Sequence, residues 1–214
     1  MKIIQSKVLL AVLFVLSDSV AFADAGGSKH WRAKAPLSIP AIFAAATEGP
    51  DNRIYLFGGE IPPSDTASNA TRIYDPKSDT WSTGTNMPVP TIEPQAALGS
   101  NGKIYVIGGD LHGPGRHASS ANFEYDPRTN SWSQRTPMPT ARAGFALIAA
   151  KNAKGETLLY AIGGRDYIDP RNGMETVEAY DPSSDSWSTM SPMPTPRHAL
   201  AAAVGSDGKI YVVG

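Results

Sequence analysis

The sequence predicts an all-β protein built from a repeated sheet unit. Glycine pairs at 58–59, 108–109 and 163–164 recur at intervals of 50 and 55 residues, each after a β-branched and aromatic segment that is typical of a strand. Tyr-Asp-Pro recurs at 74–76, 125–127 and 180–182, and a tryptophan follows each of these tyrosines by seven residues. Because the signals keep one period, we interpret each period as one structural unit.

The composition is that of a globular chain with no strong charge. Of the 214 residues, 41% are hydrophobic and 18% are charged, which lies in the ordinary range for folded proteins. The 19 basic and 20 acidic residues give a net charge of −1, without a long block of one sign. Such a surface does not attract a phosphate backbone, so we expect no nucleic-acid partner.

Residues 1–23 have the layout of a cleavable export signal. Lys2 and Lys7 form its basic start, an apolar run follows at 8–16, and Ala-Phe-Ala at 21–23 is a small-x-small cleavage site. The apolar run is shorter than the roughly 20 residues that span a bilayer, so a retained membrane anchor is the weaker alternative. We predict a mature chain that begins near Asp24, is periplasmic or extracellular, and has no membrane contact after cleavage.

The chain contains no cysteine. It therefore has neither disulfides nor thiolate metal ligands, and its stability must come from packing. Export without disulfides favours a bacterial envelope or medium over a eukaryotic secretory pathway.

Each repeat predicts four short strands. The first is rich in small residues, as in "QAALG", which suits a crowded inner strand. Asn101-Gly102 and Asp207-Gly208 then predict type I′ hairpin turns, with longer versions in the first and third repeats. The second strand ends at the glycine pair, the third carries the tyrosine, and an Asp-Pro turn leads to a fourth strand that starts at the tryptophan.

This pattern resembles the kelch motif over residues 31–214. The resemblance implies a β-propeller of four-stranded blades, and the glycines and aromatic residues that carry it are assigned structural roles. Kelch propellers include protein-binding platforms, carbohydrate-binding modules and sugar-acting enzymes, so the fold leaves the activity open. The repeat positions are Gly58, Gly59, Tyr74, Trp81, Gly108, Gly109, Tyr125, Trp132, Gly163, Gly164, Tyr180 and Trp187.

The repeats predict an incomplete ring. Complete repeats cover about 41–87, 92–138 and 143–193, residues 197–214 supply two strands of another, and residues 31–40 resemble a leftover closing strand. Propellers have about four to eight blades, so we expect the N-terminal part of a six- or seven-bladed propeller. A small ring closed by Trp31 or by a second copy of the chain is the alternative.

The resemblance also implies a ligand-binding face. Kelch propellers bind with the loops after the second strands and the loops that lead into the first strands. Arginine and carboxylate groups around an aromatic residue suit sugar hydroxyls or an acidic sugar, although a solvated loop with local ion pairs is the simpler interpretation. The candidate residues are Glu60, Glu93, Asp110, Arg142, Arg165, Asp166, Tyr167, Arg197 and His198.

Three further features are interpreted as structural or surface positions. His112 and His117 lie in a glycine-rich loop without a second ligand pair, so we expect surface histidines and no metal. The turn residues Asp75, Asp126 and Asp181 are expected to cap their own backbone. We expect no cofactor, and no catalytic residue can be assigned.

We therefore expect an exported kelch-repeat binding protein that recognises a protein or a glycan. An adhesive module without a small ligand is one alternative, and a sugar-acting enzyme similar to the sialic acid mutarotases is another, because export and the Arg, Glu and His residues fit that class. A protein similar to galactose oxidase is disfavoured, since that enzyme's copper site needs a tyrosine cross-linked to cysteine.

Overall fold

The computed structural model describes residues 20–23, 31–111, 117–167 and 173–214. All regular elements of these residues are strands, and they form three four-stranded and three two-stranded antiparallel sheets. The predicted all-β fold of four-stranded units is thereby confirmed. Within the same residues, no helix has the length and apolar character needed to cross a membrane.

The first two strands form a hairpin ahead of the repeats. Strand β1 (Val20–Ala23) pairs antiparallel with β2 (Trp31–Lys34). Strand β1 covers the last four residues of the predicted export signal, and the rest of that segment lies outside the described residues.

Three complete blades follow, each with its four main strands in chain order across the sheet. A short hairpin of Glu60–Ile61 with Thr66–Ala67 extends beyond the glycine pair of blade 1. Blade 1 contains β3 (Ala45–Glu48), β4 (Ile54–Phe57), β5 (Glu60–Ile61), β6 (Thr66–Ala67), β7 (Thr71–Asp75) and β8 (Thr80–Thr83). Blade 2 contains β9 (Gln95–Leu98), β10 (Ile104–Ile107), β11 (Asn122–Asp126) and β12 (Ser131–Gln134). Blade 3 contains β13 (Ala146–Lys151), β14 (Thr157–Ile162), β15 (Val177–Asp181) and β16 (Ser186–Thr189).

The last two strands, β17 (Ala201–Val204) and β18 (Ile210–Val213), form a two-stranded sheet beside blade 3. The first strands β3, β9, β13 and β17 are neighbours around one axis. Their small side chains allow this close approach, as expected of innermost strands. The described blades form an incomplete propeller ring, as the sequence predicts.

The core lies between blades rather than inside any one of them. Tyr55 and Phe57 of blade 1 pack with Ile104, Val106 and Tyr125 of blade 2 in one buried cluster. A second cluster joins blade 2 to blade 3. Each blade is therefore stabilised by its neighbour, since a single sheet cannot bury both of its faces.

The predicted tyrosine–tryptophan pairs are present in all three blades. Tyr74 lies opposite Trp81, and the equivalent pairs of blades 2 and 3 have the same register. Their ring centroids are 4.9–5.1 Å apart. Phe57 of blade 1 contacts the edge of Trp132 in blade 2 at 5.5 Å, so these pairs also close the junction between blades.

The hairpin turns differ from the prediction. A type I′ turn needs positive φ at both central residues, but of Asn101 and Gly102 only Gly102 has it, at φ 74°. The Gly99 amide instead donates to the Lys103 carbonyl, which closes a five-residue loop. The first repeat has the same loop at 49–53, and the third differs by longer flanking strands rather than by a longer turn.

Candidate functional site

The residues after the glycine pairs form identical backbone bridges in three blades. Glu60 pairs with Ile42, Asp110 with Ile92, and Arg165 with Ala143, each through two backbone hydrogen bonds of 2.6–3.0 Å. The second residue of each pair stands in a lead-in turn just before the first strand of its blade. We name this end of the blades the glycine-loop face: Glu60, Asp110 and Arg165 together with the lead-in turns at 42–43, 92–93, 143–144 and 198–199.

The glycine pairs join neighbouring blades at this face. The Gly59 amide donates to the Thr91 carbonyl of the next blade, and Gly109 and Gly164 do the same at the following junctions. A Cβ at Gly58 would lie 2.6 Å from the Thr91 oxygen, and the backbone there has φ 64°. Glycine is therefore required by both the close approach and the left-handed conformation.

The lead-in turns connect one blade to the next near the propeller axis. Phe43, Glu93, Gly144 and Ala199 occupy the equivalent position in successive blades, all with φ between 51° and 58°. The Glu93 amide donates to the Phe43 carbonyl at 2.9 Å, and the Ala199 amide donates to the Gly144 carbonyl at 2.8 Å. A left-handed backbone is unfavourable for phenylalanine and glutamate. Residues with such strained backbones are concentrated at functional sites, so Phe43 and Glu93 are candidate site positions.

Glu93, Arg165 and Tyr167 form a polar cluster across this face. Arg165 Nη2 donates to both carboxylate oxygens of Glu93, at 3.1 and 3.2 Å, and the Tyr167 hydroxyl donates to Glu93 Oε2 at 3.3 Å. The Arg165 guanidinium also lies 4.8 Å from the centre of the Tyr167 ring. Glu93 leads into blade 2 while Arg165 and Tyr167 belong to blade 3, so the cluster forms only when the blades are assembled.

The surroundings of the cluster shift two of its pKa values. Burial alone would lower the pKa of Arg165, but the hydrogen bond to Tyr167 and the charge of Glu93 outweigh it and raise this pKa. Burial raises the pKa of Tyr167, although the hydrogen bond from Arg165 acts in the opposite direction. The phenol therefore stays protonated and the guanidinium stays charged over the physiological range.

Arg142 is placed differently from the sequence-based expectation. Its side chain is 0% exposed and forms an ion pair with buried Glu178. Its guanidinium also donates to the carbonyls of Gly163 and Thr176 at 3.1 and 3.0 Å. Burial lowers the pKa of Arg142, and the carboxylate of Glu178 opposes this. Arg142 stabilises blade 3 from within and offers no surface to a ligand.

Arg197 makes one contact of the same kind in the sheet of β17 and β18, although its side chain is only partly buried. Its guanidinium donates to the carbonyl of Gly214, the counterpart of Gly163. In blade 1 the same type of carbonyl, that of Gly58, faces Arg72 of β7 at 3.5 Å. Arginine thus meets a glycine carbonyl in three of the sheets. The ligand-contact assignment of Arg142 is corrected to a structural one because its side chain is fully buried, whereas Arg197 is partly exposed and stays a predicted residue of the face.

The remaining predicted residues differ in exposure. Asp110 is buried, and its charge contributes to the raised pKa of Tyr167. Glu60 is 7% exposed, and Asp166 and His198 are half-buried. His117 is exposed, whereas His112 lies outside the described residues. In the described ranges, no group of three or more His, Cys, Asp or Glu residues could hold a metal ion.

One repeat position of structural importance, occupied by Asp79, Asn130 and Asp185, escapes sequence reasoning. Asp79 Oδ1 accepts hydrogen bonds from the Tyr74 hydroxyl and from the Ala35 amide, at 2.6 and 2.9 Å. Asn130 and Asp185 repeat this contact with Thr85 and Thr136 of the preceding segments. The sequence does contain a signal for this position, because an Asp or Asn stands two residues before each tryptophan of the repeats. The turn residues Asp75, Asp126 and Asp181 do cap their own backbone, as predicted.

A separate concavity of about 600 Å³ lies at the opposite end of blade 3 and β17–β18. Its lining, which includes Ala149, Ala153 and Gly208, is mostly apolar and contains none of the predicted site residues. This concavity is therefore separate from the Glu93–Arg165–Tyr167 cluster on the glycine-loop face.

Comparison with known proteins identifies the class. The family model of the KLHDC2/KLHL20/DRC7 Kelch-repeats domain matches residues 32–214. The chain therefore belongs to the kelch-repeat family.

Individual relatives are similar over part of the chain. Kelch-like protein 36 of Bos taurus is 29% identical over 154 residues, which cover 69% of this chain and 23% of that protein. Kelch domain-containing protein 7A of Mus musculus is 32% identical over 142 residues, covering 66% and 17% respectively. Alpha-scruin of Limulus polyphemus is 34% identical over 97 residues, covering 45% and 10%. The chain thus spans about a quarter or less of the length of these relatives.

Among solved structures, that of YjhT superposes with a TM-score of 0.70 at 20% identity, covering 86% of this chain and 62% of that one. A likeness at this identity shows the fold alone.

Proposed function

We propose that the chain is an exported binding module that recognises a protein or a glycan through the glycine-loop face. Kelch repeats are typically protein-binding, and this membership supports a binding role. The observation that carries the proposal is the Glu93–Arg165–Tyr167 cluster. It places a guanidinium, a carboxylate and a phenol from two blades side by side on one surface.

The scaffold under this cluster is suited to binding. Backbone bridges hold the lead-in turns and the residues after the glycine pairs in register, so side chains from separate blades keep fixed relative positions. A guanidinium beside an aromatic ring recognises carboxylates and hydroxyl groups, because its planar donors match their oxygens. Loops carried by a rigid scaffold are the usual place for such contacts.

The same contacts favour binding over acid–base catalysis at Glu93. Both carboxylate oxygens accept a hydrogen bond from Arg165, and one also accepts from Tyr167. Both oxygens are therefore already engaged by donors of the cluster, whereas a general base needs an oxygen free to reach a substrate proton. We therefore place recognition ahead of the sugar-isomerising alternative.

The test is a comparison of two arginine variants. A glycan array and a random-peptide display library are screened with the wild-type chain, with Arg165→Ala and with Arg53→Ala. Arg53 is an exposed residue at the opposite end of blade 1. Recovered ligands should bind Arg165→Ala at least about tenfold more weakly, as truncation at a central contact does, and should bind Arg53→Ala unchanged. Equal affinity for all three proteins would show that the face is wrongly assigned.

We also propose that residues 1–23 direct export and are then removed. The basic start, the apolar run and the small-x-small site support this. Expression of the full chain in a bacterium, followed by N-terminal sequencing of the periplasmic fraction, tests it. A mature protein that starts at Asp24 is expected, and a cytosolic protein that retains residues 1–23 would exclude the proposal.

A further inference from the structure

Arg165 has hydrogen-bond donors that the described residues leave unused. Its bonds to Glu93 and to the Tyr167 hydroxyl all come from Nη2. Nε is enclosed and has no acceptor among the described residues, whereas Nη1 has no hydrogen bond to them either but is not enclosed. Blade 3 has blade 2 on one side and β17 on the other, so the unused donors do not result from an open edge of the ring. Buried N–H groups almost always have an acceptor, and Nε therefore requires an explanation.

A gap adjoins these atoms at Gly144. A Cβ built on Gly144 would lie 3.4 Å from Glu93 Oε2, 3.6 Å from the Ala199 amide nitrogen and 3.9 Å from Arg165 Nε. These are ordinary contact distances, so a carbon-sized atom fits there. We name this gap the Gly144 notch, after the residue whose missing side chain leaves it. Gly144 is half-buried and Ala199 is exposed, so the notch lies close to solvent.

The fold does not require glycine at this position. Phe43, Glu93 and Ala199 carry side chains at the equivalent position of the other lead-in turns, with φ of 55°, 54° and 51° against 58° at Gly144. At Gly58, in contrast, a Cβ would lie 2.6 Å from a backbone oxygen of the next blade. Neither the backbone conformation nor a close approach therefore explains the missing side chain at Gly144, and its absence leaves Glu93 and Arg165 uncovered.

The two charges beside the notch select an uncharged hydroxyl group. A carboxylate or phosphate would accept from Arg165 but would be repelled by Glu93, and an ammonium group would be repelled by Arg165. A hydroxyl both accepts and donates. A carboxylate has about four acceptor positions, of which the cluster uses three at Glu93. One hydroxyl can thus accept from Arg165 and direct its proton to the remaining acceptor position of Glu93.

We propose that the Gly144 notch binds a hydroxyl group of a neutral sugar. This inference rests on the proposed function and specifies the class of ligand. A sugar ring carries several hydroxyl groups, so one can enter the notch while others contact the Nη1 donors of Arg165, which are not enclosed. A serine or threonine side chain of a protein partner offers only one hydroxyl and fits this set of donors less well.

The test fills the notch without removing a charge. Wild-type chain, Gly144→Ala and Gly155→Ala are screened on an array of neutral and acidic glycans, and urea unfolding verifies that each variant is folded. Gly155 has φ 82° and no atom within 4 Å of its Cβ position, so its variant has the backbone strain but lies outside the face. Wild type and Gly155→Ala should bind the same neutral glycans. Gly144→Ala should bind them at least about tenfold more weakly, because the donor and acceptor lose their partner.

Nuclear magnetic resonance gives a readout at the atom itself. The Nε–H signal of Arg165 is assigned by its loss in Arg165→Lys. Titration of the wild-type chain with the neutral glycan that binds most tightly on the array should shift this signal and slow its exchange with water, since the N–H gains an acceptor. The same titration of Gly144→Ala should leave the signal unchanged.

The outcomes separate the two proposals. Neutral glycans that bind Gly144→Ala as well as wild type, but are lost in Arg165→Ala, overturn this inference and leave the proposed function standing. The same holds if the ligands that depend on Arg165 are all acidic glycans or all peptides. If no ligand from the array or the peptide library depends on Arg165, both the inference and the assignment of the face are overturned.

Discussion

Strands β10 and β18 have almost the same sequence and opposite surroundings. Ile104, Tyr105, Val106 and Ile107 of β10 are all buried, whereas Tyr211 and Val213 of β18 are 55% and 66% exposed. Strand β10 has a further strand at its edge and packs against the aromatic residues of blade 3, while β18 pairs with β17 alone among the described strands. The kelch pattern therefore specifies a strand, but its burial is supplied by the neighbouring blade.

The largest difference in the stability lost on substitution should be between the tyrosines of these two strands, Tyr105 and Tyr211. Tyr105 donates to Glu124 Oε2 at 2.6 Å and its ring lies 5.4 Å from that of Tyr180. We expect Tyr105→Ala to lower the free energy of unfolding by about 3–5 kcal/mol, the usual cost of removing a large buried aromatic side chain. Tyr211→Ala should cost less than about 1 kcal/mol, because the ring is already half in solvent. Urea unfolding of both variants measures this, and equal losses would contradict a core located between blades.

Sequence reasoning predicts the parts of the fold that depend on local patterns. The tyrosine and tryptophan lie opposite each other because a turn of fixed length connects their strands, and the glycine pairs stand where a Cβ would collide with the next blade. The prediction for Arg142 is wrong for a physical reason. A sequence shows that an arginine stands in a loop near the face, but not whether its guanidinium reaches a ligand or the glycine carbonyl beneath. The same holds for Asn130, whose bond to Thr85 crosses from one blade to the next.

A pair of glycines provides the second comparison. Gly108 and Gly208 both have left-handed backbones, with φ 66° and 78°. A Cβ at Gly108 would lie 2.6 Å from the Phe145 ring and 2.7 Å from the Arg142 carbonyl oxygen, whereas a Cβ at Gly208 meets nothing within 4 Å.

Both alanine variants should lose about 1–2 kcal/mol through backbone strain. Gly108→Ala should lose about 1–3 kcal/mol more, because the junction between blades 2 and 3 must move apart. Urea midpoints at equal m-values measure the difference. If the two variants were equally stable, the close approach at the glycine pair would not matter for assembly.

The smallest expected effect is on the pH dependence of stability, through the carboxylate at one junction between blades. Asp185 clamps blade 3 to Thr136, and Asn130 makes the same contact between blades 1 and 2. Burial would raise the pKa of Asp185, but the hydrogen bonds from Tyr180 and from the Thr136 amide outweigh it, so the pKa lies below its usual value. Because the folded-state pKa is depressed, Asp185 contributes stability that is present above about pH 4 and is lost as the pH falls through the folded-state value.

Asparagine does not titrate, so Asp185→Asn should reduce the dependence of stability on pH below about pH 4 while keeping the bond to Thr136. Asn130→Asp should increase the same dependence. Urea unfolding between pH 2.5 and 7 compares the wild-type chain with both variants. Parallel pH profiles for all three proteins would mean that the clamp carboxylate is not coupled to folding, and that the acid sensitivity of the blades comes from the Asp-Pro turns instead.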